Sequence, residues 1–115
     1  MIFVIDSDEI TANCVAKATQ RETRVFSNAI EAMMAIADGE MPELILMEVL
    51  LMGPDGFTFL NELISYEDTA KIPIVIISTI DFGGRDLSTY GVVGVLNKDT
   101  MLPEEVFSYV EKYAR

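Results

Sequence analysis

Residues 44–57 read LILMEVLLMGPDGF: four apolar residues, one acidic residue at Glu48, then a loop carrying Gly53, Pro54, Asp55 and Gly56. A run that is continuously apolar, with no alternation of polar positions, predicts a strand covered on both faces, as in a parallel sheet. The same texture occurs at 2–5 (IFVI) and 74–77 (IVII), and two weaker strands fit TRVF at 23–26 and VGVL at 93–96. Helix-period stretches alternate with these runs. Ile10, Cys14 and Ala18 fall on one helical stripe, and Ala29, Ile30, Met33, Ile36 and Ala37 on the next, where Asn28 and Glu31 are spaced as a capping box and Gly39 supplies a stop. Phe57, Leu60, Leu63 and Ile64 mark a third helix. Pro103 opens the last one through Val106, Phe107 and Val110, with Glu104 and Glu105 placed to complement the helix dipole. FGGRDLSTYG, 82–91, carries two early glycines and gives the weakest helical signal of the five.

Five β-α units joined by right-handed crossovers predict an α/β fold, a doubly wound five-stranded parallel sheet in the order 2-1-3-4-5, forming one domain over residues 1–115. In that order strands 1 and 3 are neighbours and a crevice opens beyond their carboxyl ends. Asp6 and Ser7 end strand 1, Glu48 ends strand 3, Ser78 ends strand 4 and Lys98 lies just past strand 5. An acid pair, a hydroxyl and an ammonium are thus expected to converge.

Composition narrows the function. Eight Lys+Arg against nineteen Asp+Glu give a net charge of −11, a field that repels nucleic-acid phosphates and anionic lipid, so neither nucleic acid nor membrane is an expected partner. No apolar stretch reaches the ~18 residues of a membrane span, and IFVI follows Met1 with no basic leader, so a cytoplasmic location is expected. Cys14 is the only cysteine; that excludes an internal disulfide, and its stripe position predicts a packed thiol. Met33, Met34 and Met47 fall at core positions, whereas Met52 and Met101 lie near the loops at the top of the sheet.

Several ordered motifs together resemble the receiver domains of two-component response regulators, the CheY-like family, over essentially the whole chain. IFVIDSDE is similar to the family's first strand and acidic cluster, LILMEVLLMGPDGF to its phosphoacceptor strand and following loop, IPIVIIS to the strand ending in a Ser/Thr switch, and GVVGVLNKD to the strand that delivers a lysine. Ser78 follows Glu48 by thirty residues and Lys98 follows Ser78 by twenty, as the resemblance requires. It implies a signalling module rather than an enzyme, with a protein partner: a signalling kinase, an effector or an output protein. It also implies a monomer or weak homodimer, and a contact surface made by the fourth helix, strand 5 and the last helix.

The departures are equally specific. In receivers an aspartate at the end of strand 3 attacks phosphorus, and Mg²⁺ is held by that aspartate, two acidic residues after strand 1 and a loop carbonyl. Here Glu48 is a pseudo-phosphoacceptor and Ser7 stands at the second acidic position, leaving Asp6, Asp8 and the carbonyl of Leu50. No cofactor is expected, with room only for weak Mg²⁺ binding near Asp6 and Glu48. One extra methylene moves the carboxylate forward by ~1.5 Å, enough to cost about 100-fold in a positioned reaction. Asp99 replaces the proline after the lysine, Val95 the aromatic switch residue that works with Ser78, and Thr79 the small residue after the hydroxyl. Glu48 therefore has two readings: its longer carboxylate imitates a phosphorylated aspartate by reaching Lys98 and Ser78, or it is a relic that keeps the crevice polar. For its neighbours simpler roles are favoured: Asp55 and Gly56 as turn and helix start, Asp8 and Glu9 as first-turn acids. The alternative enzyme reading is a Mg²⁺-dependent phosphohydrolase of haloacid-dehalogenase type using Asp6 and Asp8, but it lacks the later acidic metal motif.

Overall fold

The computed structural model describes residues 1–51 and 55–114. Its sheet is parallel and ordered β2-β1-β3-β4-β5, from β1 (Ile2–Ile5), β2 (Thr23–Phe26), β3 (Leu44–Met47), β4 (Ile74–Ser78) and β5 (Val92–Asn97). The three apolar runs lie where the sequence puts them and are buried along their whole length. Helices α1 (Glu9–Thr19) and α4 (Pro103–Tyr113) cover one face of the sheet, while α2 (Ala29–Ala37) and α3 (Gly56–Ile64) cover the other. The core is accordingly split in two by the sheet. Phe3, Ile5, Ile45, Met47, Ile74 and Ile76 point toward α2 and α3, and Ile2, Val4, Leu44, Leu46, Val75 and Ile77 toward α1 and α4. Each such side chain contributes about 1.5–3 kcal/mol by leaving water.

The helix starts follow local chemistry. Asp8, Asn28 and Asp55 cap α1, α2 and α3 through their side-chain oxygens. Pro103 occupies the first turn of α4, and the Glu105 carboxylate accepts the Leu102 N–H at 2.8 Å. Gly39 ends the α2 connection with φ +98°. Gly56, expected as part of a turn and helix start, is required for space: a Cβ there would lie 2.5 Å from the Val49 Cα, so α3 can approach the strand-3 loop only without a side chain. Because that neighbour is backbone, Gly56→Ala is expected to cost about 1–3 kcal/mol, read as a lower midpoint in urea at unchanged slope.

Four expectations are corrected. The buried stripe of α1 is Ala12, Val15 and Thr19, one position round from Ile10, Cys14 and Ala18; Ile10 is exposed, and so is the Cys14 thiol. On α2 the buried residues are Ala29, Ala32 and Ala35, small enough to bring the helix close to the sheet; Met33 and Ile36 pack only at its margin, while Ile30, Met34 and Ala37 face solvent. On α3 Phe59 joins Leu60 and Leu63 in the core, and Ile64 lies at the surface. The fourth helix is absent: Gly83 and Gly84 take left-handed angles, φ +61° and +75°, and the segment forms only a 3₁₀ turn over Ser88–Tyr90. Left-handed residues cannot continue a right-handed helix, so Leu87, Phe82 and Tyr90 cover this part of the core from a loop, the last two edge-to-face on Phe57. Met52, Gly53 and Pro54 lie outside the described residues.

Candidate functional site: an ion-paired crevice at the strand ends

Backbone ladder bonds continue past the strands and place the site. The Asp6 N–H donates to Phe26 O at 3.0 Å, the Glu48 N–H to Ile5 O at 2.9 Å and the Lys98 N–H to Ser78 O at 3.0 Å. The side chains of Asp6, Glu48, Ser78 and Lys98 are thereby delivered to one crevice, as expected. Asp6, Glu48 and Ser78 are buried there, and the Lys98 side chain is 17% exposed.

The Lys98 ammonium bridges both acids, 2.7 Å from Glu48 Oε1 and 2.9 Å from Asp6 Oδ2. The second oxygen of Glu48 turns back on its own loop and accepts the N–H groups of Val49 at 2.8 Å and Leu50 at 3.1 Å. Asp6 Oδ1 accepts the Asp8 N–H at 2.9 Å. Ser78 Oγ accepts the Ile80 N–H at 3.2 Å. Burial opposes the charge on Glu48, yet hydrogen bonds from Lys98, Ser78 and the Leu50 N–H outweigh it and hold the carboxyl below its ordinary pKa. Burial likewise opposes the charge on Lys98, and the two carboxylates outweigh it and raise its pKa. No buried side-chain nitrogen or oxygen among the described residues lacks a hydrogen-bond partner. Two anions on one cation leave a net charge of −1.

The remaining candidates lie outside this cluster. Ser7, Asp8, Leu50 and Thr79 are exposed at its rim. Asp8 is occupied as the α1 cap, accepting the Thr11 hydroxyl at 2.8 Å and the Ile10 N–H at 3.2 Å; the Thr11 hydroxyl is the main cause of its lowered pKa. That leaves the phosphohydrolase alternative without its acid/base residue in the crevice. Val95 is 42% exposed, beside Ile76 on the sheet. Sequence reasoning missed two features. It considered the Leu50 carbonyl, whereas the Leu50 N–H is what meets Glu48, and it brought Asp6 into the crevice, with room for weak Mg²⁺ binding, without pairing it with Lys98. The signal for the second was present in the parity of charges: one lysine facing two acids at adjacent strand ends.

A Mg²⁺ ion needs hard oxygen ligands directed at one point. Here Lys98 stands between the two buried carboxylates, their other oxygens are engaged by backbone N–H groups, and Ser7 is neutral. As arranged, these donors do not fit Mg²⁺, which would require Lys98 to withdraw. Among the described residues no three acidic, histidine or cysteine side chains converge as a metal site.

No protein-family model matches the chain. Among curated proteins it is similar to the response regulator PleD of Caulobacter vibrioides, 31% identical over 85 residues that make up 72% of this chain and 19% of PleD. The chain belongs to the CheY-like response-regulator receivers. Solved receivers share its fold: that of NtrX from Brucella abortus superposes with a TM-score of 0.79 at 24% identity, covering 97% of this chain and 96% of that one. CheY4 of Vibrio cholerae gives 0.81 at 19% identity, covering 96% and 95%. The described residues of this receiver include no helix long and apolar enough to cross a membrane.

Proposed function

We propose that this receiver serves two-component signalling without being phosphorylated, and acts by binding a protein: a kinase, an effector or an output protein. The observation that carries this reading is the occupancy of the crevice by Glu48. Its carboxylate already engages the lysine and two backbone N–H groups, which are groups a phosphoryl anion would need. Attack on phosphorus would require this carboxylate to break those bonds, with no cation seated to neutralise the charge that develops. Glu48 thus holds the domain in one arrangement through Lys98, in imitation of the modified aspartate. The contact surface in this reading is the face of β5 and α4, where Val93 and Val95 are exposed and Tyr109 stacks on Tyr113; the missing fourth helix leaves that face different from the one receivers generally present. Incubation with a small-molecule phosphoryl donor and Mg²⁺ should leave the intact mass unchanged. A stable gain of one phosphoryl group mapped to Glu48 or Asp6 would overturn the reading.

A further inference from the structure

Helix α2, AIEAMMAIA, has one charged residue in nine. A helix apolar on all sides is ordinarily buried on all sides, but α2 buries only its alanine stripe against the sheet. Its outer stripe, Ile30, Met34 and Ala37, repeats at helical spacing and faces solvent, with Ile30 54% and Met34 62% exposed. Met34 lines a shallow cleft of about 290 Å³ between α2 and the edge strand β2, together with Arg24, Phe26, Glu31, Ala35, Asp38 and Glu40. Arg24 is already engaged, paired with Glu40 and lying over the Phe26 ring. The cleft is of mixed polarity, with three carboxylates against one paired arginine, and the exposed Ile30 and Met34 of α2 supply the apolar surface next to it.

We propose that the α2–β2 cleft is a docking site for a basic amphipathic helix of a partner protein. Ile30 and Met34 would meet its apolar stripe, and Glu31 and Asp38 its lysines or arginines. Methionine suits such a contact because its unbranched thioether adapts to the shape it meets, and helix-in-groove binding uses side chains at this spacing. Charge chooses among the possible occupants. A second copy would bring another −11 and oppose acid to acid, and an anionic membrane would meet the same carboxylates. This surface is at the β2 edge of the sheet, opposite the β5 edge, so it goes beyond the contact face given above and stands apart from the state of Glu48.

The probe is a synthetic amphipathic helix of leucine and lysine, about four turns long, compared with a scrambled peptide of the same composition. Backbone-amide NMR titration in ~150 mM salt should move resonances of 23–38 and few others. Met34→Glu and Ile30→Glu should each weaken binding roughly tenfold or more, while Leu102→Glu, also at an exposed apolar residue, leaves it unchanged; Met34→Ser should give the same direction without added charge. Shifts confined to β5 and α4 would overturn this site while sparing the protein-binding reading. Equal affinity for the scrambled peptide would reduce the effect to net charge and overturn it. So would the absence of any binding, or sedimentation showing a dimer that Met34→Glu dissolves.

Discussion

Lys98→Met should lower stability by about 3–5 kcal/mol, because it strands two buried carboxylates that share a single cation. In a domain of this length the melting temperature should fall by roughly 10–20 °C. The dependence on pH is more diagnostic than the size. In the wild type Glu48 is held below its ordinary pKa, so its contribution is present above the carboxylate range and is lost as pH falls through its folded value. Lys98 is held above its ordinary pKa, so its contribution is full below the unfolded lysine value and disappears as pH rises through the folded one. The pair thus supports a plateau between the two. In Lys98→Met burial acts on Glu48 without the ammonium, the folded state binds more protons than the unfolded state, and stability should rise on acidification across the carboxylate range. Thermal melts of both proteins from acid to neutral pH check this. An unchanged melting temperature at neutral pH, or parallel curves, would mean that the ion pair contributes nothing net.

Restoring the phosphoacceptor should need two changes. Glu48→Asp brings the carboxylate to the length used by the family and withdraws it from Val49 and Leu50 N–H, but Ser7 still leaves the crevice short of an anion. This single variant should remain a poor acceptor. Adding Ser7→Asp supplies a third carboxylate beside Asp6, enough to compete for a divalent cation against Lys98, and should convert the domain from no detectable acyl phosphate to slow, donor-dependent formation. In the reading proposed above, Lys98 and Ser78 would contact the phosphoryl oxygens; Thr79, exposed at the rim, should keep the gain partial. Mg²⁺ titration and intact mass on the wild type, both single variants and the double variant test the order. Acceptance by Glu48→Asp as readily as by the double variant would show that Ser7 is no impairment. A double variant without Mg²⁺ affinity would refute the placement of Ser7 beside the acids.

Strands β1 and β3 were legible because residues buried on both faces leave no choice of pattern, and 2–5 and 44–47 coincide with them to the residue; the weaker signal at 23–26 also coincides with β2, an edge strand exposed at Arg24 and Val25. Helix ends were legible for a related reason, since Asp8, Asn28, Asp55 and Pro103 act within one turn. Helix faces were not. In α1 and α2 apolar residues occur on more than one stripe, and periodicity does not say which stripe meets the sheet; in α2 it is the alanine side, which lets the helix lie close. The 3₁₀ segment was half legible, its paired glycines weakening a helix without saying what replaces it. At the site, which side chains meet was fixed by topology, but how the Glu48 carboxylate divides its oxygens depends on one torsion after another and on the N–H groups of a loop.

The order in which the parts of the crevice leave the ribosome has a cost of its own. Asp6 and Glu48 are made early and their cation late, at the end of the last strand, so the contact closes a loop of much of the chain, with a closure entropy that grows slowly with length. Until β5 has emerged, docking β1 against β3 would bury two like charges without compensation. The final strand, on arriving, brings both the last ladder of hydrogen bonds and the cation that balances Asp6 and Glu48.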